Sequence, residues 1–117
     1  MRKLRVGMVL KDTAGKPVIG DGQPITVGMS LCQLIERQNP GSVATARTLF
    51  DTGVKINEAD GEWASLENAE YNHLEEHFKK FPTFFTTVAY LHIADAFEEA
   101  DRLYREGQKK AKEKEKK

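Results

Sequence analysis

The stretch NAEYNHLEEHFKKFPTFF, residues 68–85, decides how the chain is organised. Tyr71, Leu74, Phe78 and Phe81 recur at spacings of three, four and three, which draws one apolar stripe along a helix. Asn68 is the expected N-cap, and Pro82 stops the helix because its ring removes a donor and crowds the preceding turn. Thr83 is then the expected cap of a further helix, whose stripe is Ala89, Ile93, Phe97, Ala100 and Leu103 with Tyr104 beside it. After Tyr104 the stripe disappears, and Gly107 precedes a Lys/Glu-rich tail that reads as a frayed helix or a disordered segment.

Working outward towards the N-terminus, the pattern changes from helix to strand and turn. Val6, Met8 and Leu10 alternate with Gly7 and Val9, as a short strand with one buried face does. Residues 12–17, DTAGKP, are turn chemistry, Val18-Ile19 follows as a second strand, and residues 20–24 turn again before Ile25 and Val27. Such a hairpin or small meander is marginal alone and must pack on helices. A first helix is expected from about Met29 to Arg37, with Leu31, Leu34 and Ile35 on one side and Cys32 at the edge, ended by Asn39-Pro40-Gly41. Ser42 caps a second helix in which Val43, Ala46 and Phe50 face inward, with Leu49 a further candidate, and Gly53 sets its end near Thr52. Val54 to Asn57 is a strand or linker, Glu58 to Gly61 a turn, and Trp63, Ser65 and Leu66 lead into the helix at Asn68. The expected fold class is α+β: one domain over residues 1–104, a hairpin or small meander packed on about four helices, the last extending into a charged tail over 105–117.

Composition narrows the functional classes. A chain of 117 residues with 39% apolar and 31% charged residues has room for one ordinary globular core. Cys32 is the single cysteine, so an intrachain disulfide and a cysteine-based zinc site are both excluded. The opening MRKLRV lacks the apolar run of a signal peptide, and no stretch reaches the ~20 apolar residues of a membrane span, so the cytoplasm is the expected compartment and no membrane the expected partner. The net charge is zero but polarised: residues 105–117 carry seven Lys or Arg against three Glu, and residues 56–78 hold seven acids and no Lys or Arg. An acidic body with a basic tail argues against a whole-domain nucleic-acid binder.

Four constellations invite chemistry. His73-Leu-Glu-Glu-His77 matches the H-x-x-E-H pattern in which two histidines one helical turn apart bind zinc and a Glu acts as base, with His92, Glu98 or Glu99 as the third ligand. The competing reading of His73 and His77 is a polar helix face opposite Leu74 and Phe78, and no cofactor is expected. Cys32, set among apolar residues, reads as core rather than nucleophile. Glu70, Glu75 and Glu76 in the acidic stretch form a candidate electronegative face for a basic partner, and Phe81, Phe84 and Phe85 around Pro82 form a candidate aromatic docking anchor. Lys109, Lys110, Lys112, Lys116 and Lys117 are the candidate nucleic-acid contacts, weak and salt-sensitive because Glu residues alternate with them.

Several segments carry a resemblance. LKDTAGKPV over 10–18, ITVGMSLCQLI over 25–35, FDTGVKI over 50–56, WASLEN over 63–68 and LEEHF over 74–78 are similar, in that order, to a broad group of small phage- and prophage-encoded proteins. The likeness spans roughly residues 8 to 100; the short loop after the first helix and the charged C-terminus depart from it. The resemblance implies phage-related biology in the host cytoplasm and brings no catalytic residues. The expected function is therefore non-enzymatic protein binding, by an assembly factor or tail chaperone, with a host-protein inhibitor or a nucleic-acid-associated protein as alternatives. Self-association is open, with the last helix as the natural interface.

Overall fold

A computed structural model describes residues 1–115. The fold is α+β, with the elements β1 (Arg2–Arg5), β2 (Ile19–Gly20), β3 (Gln23–Pro24), α1 (Val27–Arg37), α2 (Val43–Glu58), β4 (Trp63–Leu66), α3 (Asn68–Lys80), a 3-10 turn (Pro82–Phe84) and α4 (Thr87–Glu115). β2 and β3 form a hairpin turned by Asp21 and Gly22 with φ of 50° and 78°, the positive pair that a two-residue hairpin turn demands. Gln23–Pro24 therefore pair where a longer turn over 20–24 is expected, and Val6 to Leu10 is not a continuous strand. Isolated bridges Val9–Thr26 and Lys11–Pro17 extend it into a small meander, and Asp12 accepts from the Ala14 and Lys16 amides at 2.9 and 3.0 Å.

The other sheet departs from expectation. β1 pairs antiparallel with β4, Arg2 opposite Leu66 and Leu4 opposite Ala64. Leu4, Ala64 and Leu66 turn inward into one core with Ile93, Ala96, Phe97 and Ala100 of α4, β1 lying against α4 and β4 against α2. Arg2 and Arg5 fit an edge strand because their guanidinium heads lie along α4. Arg2 Nη1 reaches Asp101 at 2.7 Å, and its Cζ sits over the rings of Tyr71 and Tyr104, 4.6 and 4.0 Å from their centres. Tyr71 Oη lies 2.9 Å from the Asp101 carboxylate and 3.0 Å from the Phe97 carbonyl. Burial, helped by that carboxylate, keeps the Tyr71 hydroxyl protonated well above its ordinary range.

Helix boundaries also move. α1 starts at Val27 because Thr26 caps it, its Oγ1 accepting from the Met29 amide at 3.2 Å. Ser42 caps α2 as expected, but α2 runs through Gly53 to Glu58, so residues 54–57 are helical rather than strand or linker. Gly53 is buried and lacks positive φ; Gly61, with φ of 96°, makes the turn into β4 instead. The α3 cap is Glu67 rather than Asn68, with the Glu70 side chain accepting from the Glu67 amide at 2.8 Å. Thr86 rather than Thr83 caps α4, because Pro82 to Phe84 forms its own 3-10 turn. Beyond Tyr104, α4 continues without a break through Glu115.

Two glycines separate the outcomes. A Cβ on Gly28 would stand 3.0 Å from both Val6 Cβ and Ile56 Cγ2, whereas one on Gly53 would meet Ile35 Cδ1 at an ordinary 3.5 Å. Gly28→Ala is therefore expected to cost about 1–3 kcal/mol through overpacking. Gly53→Ala is expected to add about 0.5–1 kcal/mol, as Gly→Ala does inside a helix. Urea unfolding of the two variants reads both signs; a destabilised Gly53→Ala would restore the helix end at Thr52.

Candidate interaction surface

The H-x-x-E-H segment lies on α3, and its two histidines have different fates. His77 is 3% exposed; its Nε2–H donates to the Gln38 carbonyl at 2.9 Å, and Phe81 meets its ring edge-on at 5.0 Å. The bond ties α3 to the C-terminus of α1, so this imidazole is committed to the scaffold. His73 is half-buried and lines a cleft of about 210 Å³ with Glu76, His77 and Lys80. His92 is taken up elsewhere: Nδ1 lies 2.8 Å from the Val88 carbonyl, and Nε2 accepts from the Lys11 amide at 3.3 Å, pinning the meander to α4. Among the described residues, no group of three or more His, Cys, Asp or Glu is arranged to hold a metal ion. Cys32 is buried with its thiol directed to the Gly53 carbonyl and Asn57, both at 3.7 Å. Burial, with Glu36 adding, pushes its pKa up to about 11, so the thiolate that nucleophilic chemistry needs is suppressed.

The acidic stretch does not assemble into one face. Glu70 is 8% exposed and spent internally, held by Lys55 Nζ at 2.6 Å and by the Glu67 amide. That hydrogen bond to Glu70 raises the Lys55 pKa, burial opposing it. Glu75 is half-buried and pairs with Lys79 at 3.7 Å, and Glu62 pairs with Arg5 at 3.3 Å, which leaves Glu76 as the exposed member of the three α3 candidates. At the Phe81–Phe85 corner all three rings are half-buried and pack against the core. Phe85 touches Phe78 and Phe84, with ring centres 5.5 and 5.1 Å apart, and Phe84 and Phe85 help line a cleft of about 250 Å³ against Leu10, Val18 and Ile25. Lys109, Lys110 and Lys112 are exposed on the far turns of α4; Lys116 and Lys117 lie outside the described residues.

The surface that sequence reasoning missed is the outer side of α2. Phe50 is 65% exposed and Val43 77%, although both were expected inside; Leu49 and Thr52 take the core positions. Val54 adds 38% on the same side. Beside this stripe runs a groove of about 440 Å³ between α1 and α2, lined by Ile35, Pro40, Ala46, Leu49 and Phe50. The signal that could have found it is the second apolar stripe within one helix: residues 49, 52 and 56 face one way, and 43, 50 and 54 the other.

Among the described residues no helix is long and apolar enough to cross a membrane. No family model, curated protein or solved structure matches the chain.

Burial lowers the His77 pKa below the ordinary value near 6.5. The unfolded chain therefore takes its proton first as pH falls, so stability is full above about pH 6.5 and declines below it. Urea midpoints measured between about pH 7.5 and 5.5 are expected to fall more steeply for wild type than for His77→Gln. Equal slopes would show that burial does not hold the His77 ring neutral.

Proposed function

We propose that the protein acts by binding protein rather than by catalysis, as an assembly factor or tail chaperone of a phage particle, with inhibition of a host protein as the alternative in the same class. The observation that carries this reading is the outer face of α2, where Val43, Phe50 and Val54 project away from a core already filled by Leu49, Thr52 and Ile56. Exposed apolar residues grouped about an aromatic on one helix face mark a docking surface. Internal use of Cys32, His77 and His92 supports the non-catalytic side of the reading.

A second reading, nucleic-acid association, is favoured by one observation on α4. Arg102, Arg105, Lys109 and Lys112 follow spacings of three, four and three, are all exposed, and so share one helix face. It predicts binding that weakens steeply with salt.

Tagged protein recovered from phage-infected and uninfected cells distinguishes them, comparing wild type, Phe50→Glu and a variant truncated after Tyr104. A virion or tail component is expected with wild type and the truncation, and at least about tenfold less with Phe50→Glu. Recovery of nucleic acid alone, lost on truncation, would replace the first reading with the second. A host enzyme or defence component would favour the inhibitor.

A further inference from the structure

We propose that the occupant of the outer α2 face is a second copy of this chain, paired antiparallel about a two-fold axis. The inference rests on reading that face as a protein-binding surface, and it names the partner. The argument is self-complementarity. Val43, Arg47, Phe50 and Val54 are all exposed and follow spacings of four, three and four, the interval at which helix-pairing seams repeat. That interval is the same in either direction, so a two-fold axis passing α2 between Thr48 and Leu49 lays the seam on itself. Val43 then faces Val54 of the second copy, and Arg47 faces Phe50 of the second copy, a cation over an aromatic ring repeated twice.

Charge points the same way. Asp51 is exposed on the flank of the seam to which Arg47 leans. In the two-fold arrangement like flanks meet, and Asp51 of each copy comes within one residue of the level of Arg47 of the other. Among the described residues, neither Arg47 nor Asp51 forms an ion pair within its own chain. Both charges are therefore available for the pair, and its two-fold repeat favours this register. The opposite flank carries the half-buried Ala46, a small residue that lets two helices approach closely. α4, by contrast, lays its buried side against β1 and α1, and its exposed Leu91 and Leu103 stand twelve residues apart rather than in one stripe.

The expected affinity is modest. α2 has 16 residues and so spans about 24 Å, and one such helix pair buries less than the ~1,200–2,000 Å² of tight complexes. A dissociation constant of ~10–100 μM is expected.

Sedimentation velocity from about 1 μM to 1 mM tests the proposal. Wild type is expected to pass from monomer to dimer. Phe50→Glu is expected to stay monomeric with unchanged thermal stability, since this ring contributes little to the core. Arg47→Glu and Asp51→Arg should each weaken the dimer about tenfold, while the double exchange, or mixing the two single variants, restores it. A wild type that remains monomeric throughout, or a dimer indifferent to positions 47, 50 and 51, would overturn the proposal. If wild type is monomeric yet Phe50→Glu loses the virion component, the second copy is rejected and the protein-binding reading stands. If the dimer behaves as expected while capture ignores Phe50→Glu, the dimer stands and that face is not where the virion component binds.

Discussion

The antiparallel pairing of β1 with β4 is the constraint on which the rest of the structure depends. It closes a loop of about sixty residues, and a two-stranded sheet of four residues a side cannot offset that entropy alone. The offset comes from the helices that cover it: α4 lies against β1 and α2 against β4, joining Leu4, Ala64 and Leu66 to the main core. Arg2 completes the junction from the strand, bonded to Asp101 and resting on Tyr71 and Tyr104. α3 packs alongside α4 through Tyr71 and Phe78. α2 is held on its inner side by α1, α3 and β4, and its outer side faces solvent. The apolar residues there are thus a consequence of the topology, and no later element of the described chain turns back to cover them.

Legibility of the fold followed the range of the physics involved. Local signals read correctly: the Asp12 turn, Ser42 as a cap, Pro82 as a stop, the α3 stripe, and the α4 stripe from Ala89 to Ala100, whereas Leu103, expected on the same stripe, is 39% exposed. Errors arose where a tertiary partner outweighed a local preference. Gly53 resembles a helix end, but its carbonyl and bare Cα lie against Cys32 and Ile35, and packing carries the helix past it. Residues 2–5 hold three basic residues and little strand signal, and only the distant Trp63–Leu66 segment and the acids of α4 make them a strand. Phe50 is expected inside, yet the helical spacing sets it about 100° from Leu49 and about 120° from Ile56, outside the buried arc.

The same contrast governs the candidate sites. A cluster of acids or histidines along a sequence gives no information on whether its charges are already satisfied across the fold. Glu70 and His77 have the right types for recognition and metal chemistry, yet Lys55 and Gln38 claim them. Such internal use makes chemical sense: a buried carboxylate or imidazole left unpaired is expensive, so folding partners are selected before ligands are. Among the surfaces the fold leaves exposed are the outer side of α2 and the polar length of α4 beyond the body.

Amide chemical-shift mapping over a concentration series tests most directly the claim that α2 is the working surface. The account predicts shifts concentrated between Val43 and Asn57, strongest about Arg47 to Asp51, with the Phe81–Phe85 corner and the last turns of α4 unmoved. Shifts centred on that corner or on residues 102–112, or none at any concentration together with an unchanged α2 when a virion component is added, would contradict it.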